Sequence, residues 1–339
     1  ETCLSQNWVA REPMPTPRRG LGAVVLGGKI YAIGGYNEKK TGYLTVLEVY
    51  DPLTNTWDTT RASMNKPRQS PGVVAASNGK IYVIGGVYVD TTSTAFIVAD
   101  VEEYDPGANK WTIKASMKNP RHSLVVGEVN NSGIIYAIGG KTGPNYSNIV
   151  ETYDIAGDAW SAKPPIEFST WDSGGAVLNG KIYIVGGHST APKGQSSVLE
   201  FNPGTGSVVE MTNTITSRSG AGVCATNGKV YAVAGAKSSA GGTTFVDTTE
   251  AMEPAKGQWS TLASVPYSRQ TLAAVGLPSG DVYALGGQDN TNSAINEVLC
   301  LGSCSGGTPP KKNIPAAPTG LTAFSPTKEA VELAWNDNS

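Results

Sequence analysis

The chain has 339 residues, a formal net charge of −2 and 16% charged residues. So small and balanced a charge gives no electrostatic basis for binding nucleic acid or an anionic membrane surface, and without a run of 18 or more apolar residues no transmembrane helix is expected. With only two histidines, His122 and His188, a multi-histidine metal centre is excluded, and neither a metal nor a cofactor is expected.

From the N-terminus the elements are short and extended. NWVAREPM at residues 7–14 is followed by the apolar run GLGAVVL (20–26), then KIYAIGG (29–35), LTVLEVYDP (44–52) and NTWDTT (55–60). These β-branched and aromatic runs are punctuated by GG, DP and NG turns, and no stretch sustains a capped helical period. The second segment returns as KIYVIGG (80–86), IIYAIGG (134–140), KIYIVGG (181–187), KVYAVAG (229–235) and DVYALGG (281–287), so that Tyr31, Tyr82, Tyr136, Tyr183, Tyr231 and Tyr283 stand 51, 54, 47, 48 and 52 residues apart. Six units of four strands therefore fill residues 1–301. A unit of this size cannot bury both faces alone, and radial repetition solves that while leaving only short edges.

The double glycine closing the second strand, with a Tyr and a Trp further on in the unit, resembles the kelch repeat. The resemblance implies an all-β, six-bladed kelch β-propeller over residues 1–301. Trp57, Trp111, Trp160 and Trp259 each follow the third strand by a fixed offset, Val208 takes that place in the fourth unit, and nothing matches after Leu299. The missing tryptophan is Trp8, so the N-terminus is expected to supply the outer strand of the last blade. Cys3, Cys300 and Cys304 fall where the ends of the ring meet. Cys3 pairing with Cys300 or Cys304 would staple the closure in an oxidising compartment; a local Cys300–Cys304 bridge or free thiols are the alternatives. Cys224, inside an apolar strand, reads as a small buried hydrophobe.

Residues 302–314 have the Gly, Ser, Pro and Lys composition of a linker. Residues 315–339, with Val331, Leu333 and Trp335 alternating, look like the opening strands of a fibronectin type III domain. Such a sandwich needs roughly 100 residues, so further domains are expected downstream. A chain that starts at Glu1 with this composition is expected to be secreted or displayed at the cell surface.

Arg18, Arg68, Arg121, Arg218 and Arg269 precede the first strand of five blades, in PRRG, PRQS, PRHS, SRSG and SRQT; the fourth blade has Thr170 and Trp171. The kelch resemblance implies arginines around one mouth of the channel that hold acidic ligand groups. A second reading is structural: Glu48, Glu102, Glu151, Glu250 and Glu297 recur in the third strand, where the fourth blade has Leu199, so arginine and glutamate vanish together as internal partners would. Having lost this pair, the fourth blade carries Trp171, Asp172 and His188 on the same predicted face as Arg19 and His122, with Tyr36, Tyr43, Tyr88 and Tyr146 in neighbouring loops. The candidate ligand-binding set is Arg18, Arg19, Arg68, Arg121, His122, Trp171, Asp172, His188, Arg218 and Arg269, and no catalytic residue is assigned. The expected function is a binding or structural module, adhesive in character, that recognises an anionic or sugar-like glycan or a surface protein through one face. The alternative is an enzyme acting on acidic glycans, of the polysaccharide lyase or sialic acid isomerase type, for which Arg121, His122, His188 and Tyr267 offer the residue types.

Overall fold

Past its first residue the repeated KIY segment is largely buried because it lies second in its sheet, between neighbouring strands on either side and neighbouring blades above and below. Ile30 to Ile33 and Ile81 to Ile84 show no exposed residue. In the computed structural model the described residues are 7–38, 42–90, 94–191, 194–239, 241–289, 297–302, 322–327 and 330–334. The chain divides into two units, Glu1–Thr308 and Pro309–Ser339.

The first unit is a six-bladed propeller of four-stranded antiparallel sheets. Blade 1 consists of Gly22–Leu26, Lys29–Ile33, Leu47–Asp51 and Thr56–Asp58 in spatial order. Blades 2 to 5 repeat that order from inner strands Gly72–Ala75, Val125–Glu128, Gly174–Leu178 and Gly222–Thr226. The core is a set of apolar wedges between blades, such as Ile30 and Tyr50 of blade 1 with Tyr283 and Leu285 of blade 6. Near the axis the inner strands approach too closely for side chains on both. A Cβ on Gly22 would lie 2.1 Å from Val73 and one on Gly72 2.4 Å from Val126, distances only glycine permits.

Blade 5 departs from the rest. Its central strands, Lys229–Ser239 and Gly242–Glu253, continue past the sheet as a long hairpin with an irregularity between Val233 and Gly235.

Blade 6 combines Ala273–Gly276, Val282–Leu285 and Val298–Leu301 with Val9–Ala10 from the other end of the chain, Val9 opposite Cys300 and Ala10 opposite Leu299. Trp8 confirms the frame. Each tryptophan of the series donates its indole N–H to a backbone carbonyl of the preceding blade: Trp57 to Glu12 (2.9 Å), Trp111 to Ala62 (2.7 Å), Trp160 to Ala115 (2.8 Å) and Trp259 to Thr212 (2.8 Å). Trp8 makes the same bond to Ala263 (2.9 Å). Arg11, just past the closing strand, is buried and donates to the Tyr50 hydroxyl and the Pro52 carbonyl of blade 1.

Cys300 is buried and disulfide-bonded, while Cys3 and Cys304 lie outside the described residues. Cys224 is free and buried, and burial pushes its thiol up to about 12. In the second unit Thr322–Thr327 pairs antiparallel with Ala330–Ala334. One hairpin is common to many β folds and does not make a fibronectin-type sandwich. Trp335 and the linker from 303 to 314 lie outside the described residues.

Deleting residues 1–12 strips Arg11 from Tyr50 and Trp8 from Ala263 and bares the edge of Val298–Leu301. The truncated chain is expected to melt lower and to self-associate with rising concentration, measured by thermal denaturation and light scattering. A monomer with an unchanged melting temperature would refute this closure.

Candidate functional site

The five arginines point inward. Their side chains are 0% exposed, and each meets the glutamate of its own blade: Arg18 with Glu48, Arg68 with Glu102 (2.6 Å), Arg121 with Glu151 (2.8 Å), Arg218 with Glu250 and Arg269 with Glu297. Other guanidinium donors go to backbone carbonyls, as from Arg68 to Gly85 and Asp100 and from Arg121 to Gly139 and Ile149, while Nε of Arg68 and Arg121 and Nη1 of Arg269 have no hydrogen-bond partner among the described residues. The glutamates accept from the loop that leads into the blade, Glu102 from the amides of Asn65 and Lys66 and Glu250 from those of Ile215 and Thr216. Each pair is thus a clamp that ties the incoming loop to the second and third strands. Burial pushes Arg121 down to about 10 against the pull of Glu151. None of these five side chains reaches the surface of the mouth, so the expectation that they present themselves to a ligand is corrected. In blade 4 the clamp is replaced by Thr170 and Leu199, both buried.

The next two residues after each clamp position are the ones the mouth displays. Gly20, Ser70, Ser123, Asp172, Gly220 and Thr271 all adopt φ between 51° and 59°, a left-handed turn that glycine and short polar residues tolerate best. This turn aims successive amides around the axis. Gly20 donates to Thr271 (2.8 Å), Ser70 to Gly20 (2.7 Å), Ser123 to Ser70 (2.8 Å), Gly220 to Asp172 (2.9 Å) and Thr271 to Gly220 (2.6 Å). Five links of a six-membered ring are therefore closed. The sixth, from Asp172 to Ser123, is not formed among the described residues.

One step above this ring stand Arg19, Gln69, His122, Trp171, Ser219 and Gln270, each bridged to the strand that follows the double glycine, at Tyr36, Val87, Lys141, His188, Ala236 and Gln288 respectively. The clamp position repeats the same residue in five blades, whereas this rim position holds five different types in six. A bowl of about 620 Å³ opens here, lined by His122, Trp171, Asp172, His188 and Gln270 and walled by Phe245 of the blade 5 hairpin. It narrows through Ser70, Ser123, Asp172 and Thr271 into a central channel lined by the inner strands, among them Gly22, Gly72, Gly174 and Gly222.

Blades 3 and 4 fill their side of the bowl with stacked rings. Trp171 stacks on His188 (4.8 Å between centroids) and on Tyr146 (5.5 Å), His122 meets it edge-on at 6.5 Å, and the Lys141 ammonium lies 4.3 Å from its ring centre. Burial, helped by Lys141, pushes His122 down to about 4 and lowers His188 as well, so both are neutral at pH 7. Burial also pushes Asp172 up to about 7, with Lys141 pulling the other way.

His122, Trp171, Asp172 and His188 therefore come together as expected of one face. Arg19 does not line the bowl; it lies 4.9 Å over the Tyr36 ring. Tyr36 packs on Tyr43, and Tyr88 on Phe96. For chemistry on an acidic glycan, Arg121 is sealed inside its blade and Tyr267, although exposed, is not among the bowl-lining residues. The sequence reading missed Gln69, Gln270 and Lys141. The first two were recoverable, because the column directly after the arginine varies from blade to blade while its neighbour repeats.

The family model described as Attractin/LZTR1 beta-propeller matches residues 4–196, and the kelch motif matches residues 217–266. Kelch-like protein 35 of Mus musculus is 30% identical over 202 residues, 59% of this chain and 32% of its own length. Kelch-like protein 25 of Xenopus tropicalis is 28% identical over 266 residues, 77% of this chain and 43% of its own length. Beta-scruin of Limulus polyphemus is 32% identical over 200 residues, covering 56% of this chain and 21% of that protein. The chain spans less than half the length of these relatives. The solved chain titled "Structure of YjhT" superimposes with a TM-score of 0.72 over 85% of this chain and 95% of its own, at 14% identity, and shares the fold.

Removing one member of a clamp strands a buried charge. Arg68→Ala is expected to destabilise by about 3–5 kcal/mol in chemical denaturation, and combining it with Glu102→Leu should restore part of the loss, as blade 4 does with Thr170 and Leu199. Additive costs in the double mutant would mean that the two do not act as a pair.

Proposed function

Because the chain belongs to the Attractin/LZTR1 β-propeller family and carries kelch repeats, we propose that it is a binding module that captures a protein partner in the bowl at the mouth of its channel. The observation that carries this reading is the contrast between neighbouring columns: the clamp position holds arginine in five of six blades, and the rim position beside it holds five residue types in six. Relaxed repetition beside strict repetition marks positions shaped by something other than the fold. Trp171 and His188, backed by Tyr146 stacked beside them, offer an aromatic platform in the bowl, the type of site where few residues dominate binding energy. Tyr146 and Phe96, about 40% exposed, extend apolar area onto the surrounding hairpins.

Aromatic platforms also receive sugars, so a glycan partner is the second reading, supported by the same Trp171 stack. A secreted or cell-surface setting is supported by the disulfide at Cys300. A fibronectin-like continuation after the propeller would make the bowl the recognition element of a longer extracellular chain.

The test is retrieval of surface proteins on immobilised wild-type chain, in parallel with a glycan array, against Trp171→Ala and against Ile113→Ala, which changes an exposed outer-strand residue of blade 2. Trp171→Ala is expected to lower protein binding at least about tenfold at every ionic strength, since stacking is not screened, while Ile113→Ala changes nothing. Glycan binding that depends on Trp171 without any protein binding would select the second reading. Binding indifferent to Trp171 would remove the bowl as the site.

A further inference from the structure

At the constriction below the bowl, five blades place an uncharged residue, Gly20, Ser70, Ser123, Gly220 or Thr271, and the fourth places Asp172. Asp172 is half-buried, and a carboxylate partly withdrawn from water is unfavourable unless something compensates it. Elsewhere this fold compensates systematically, since Glu48, Glu102, Glu151 and Glu250 are buried and each meets a guanidinium. Asp172 breaks the rule: among the described residues it forms no ion pair and no side-chain hydrogen bond. The cation that acts on it, Lys141, has its ammonium over the Trp171 ring.

We propose that the throat of the bowl seats a cationic side chain of the protein partner, a lysine or arginine on an exposed loop, with its charged head at Asp172 and its aliphatic stem along Trp171 and His188. The inference rests on the reading of the bowl as a protein-binding site and names the chemistry that site selects. Charge complementarity carries it. The arginines that would have drawn an anion are closed off with their glutamates, so an anionic ligand descending the bowl meets a carboxylate, and the expected sign of the ligand is reversed. The Ser70, Ser123 and Thr271 side chains share the throat with Asp172, and hydroxyls can accept hydrogen bonds from an ammonium or guanidinium head.

The seat is linked to pH. The charged and titratable groups around it are Lys141 and His122 from blade 3 and His188 from blade 4; His122 titrates near 4, well below Asp172 near 7, and burial with Lys141 lowers His188 from its ordinary value. A cation therefore binds better as pH rises from 6 to 8 and releases a proton as it does so. The stability effect has the opposite sign. The unfolded carboxylate ionises near 4 and the folded one near 7, so the stability that protonated Asp172 contributes is lost as pH rises through that interval.

The test uses the whole chain and a capped Gly-Ser peptide bearing one central lysine, with norleucine and glutamate peptides as controls, followed by calorimetry at pH 6 and pH 8. The lysine peptide is expected to bind about tenfold more tightly at pH 8, the change in ionised fraction across a group titrating near 7, and more tightly there than either control. Asp172→Asn, well suited to the left-handed turn, should reduce it to the norleucine level, abolish the pH dependence and equal or exceed the wild type in stability at pH 8. Lys141→Met removes an internal competitor and should strengthen lysine-peptide binding. Equal binding of the lysine and norleucine peptides, preference for the glutamate peptide, no saturable lysine binding up to ~20 mM, indifference to Asp172→Asn, or weaker binding by Lys141→Met would each overturn the seat. If partner capture depends on Trp171 but ignores Asp172→Asn, the bowl stands as a protein site and only the seat fails; indifference to both removes both.

Discussion

The structure depends on a guanidinium held entirely out of water. Arg68, like Arg18, Arg121 and Arg218, has no exposed side-chain surface, and such a group persists only if the protein replaces its hydration. The replacement is a carboxylate and a set of carbonyls drawn from both central strands, while the same carboxylate accepts from amides of the incoming loop. One residue thereby fixes loop, second strand and third strand of a blade in a single geometry. The chain emerging from the clamp has little freedom left, and its next two residues arrive at the rim and at the throat in every blade.

That arrangement separates support from display. The clamp cannot lose one of its two partners without stranding a charge. The rim residue needs only to continue an extended bridge to its neighbour, and the throat residue needs only to tolerate a left-handed turn. Chemistry can therefore change at the mouth without disturbing what holds the mouth open. Blade 4 shows a second solution to the same constraint, since Thr170 and Leu199 avoid the desolvation problem by carrying no charge. It is beside this blade that the ring of axial hydrogen bonds opens, and there that the rings of Trp171, His188 and Tyr146 gather. The loss of one link, the loss of the clamp and the arrival of an uncompensated carboxylate all fall within three consecutive residues, Thr170 to Asp172, and their partners.

Closure follows the same economy of contacts. A propeller made by one chain must join its ends, and here a two-residue strand does so because it is flanked by groups that reach beyond it. Trp8 bonds to blade 5 and Arg11 to blade 1, so the short strand is pinned on both sides by side chains that the regular repeat already provides elsewhere.

The sequence by itself determined the period, the strand character of each unit, the number of blades and the closing role of Trp8, because these are written as spacing and alternation along one chain. It also exposed the Arg–Glu relation, since the two residues disappear together in blade 4 and a repeat protein carries six versions of its own rule. What the sequence could not decide was direction. An arginine beside a channel mouth reads equally as a ligand-binding group and as an internal strut, and only the curvature of the ring, which turns Arg68 toward Glu102 and Gln69 toward the bowl, separates the two. The grouping of Lys141 and Tyr146 with Trp171 and His188 likewise joins different blades, at distances set by how blades lean on one another. The titration of Asp172 near neutrality depends on how much water its neighbours exclude, and that is a property of the packed surroundings of a residue.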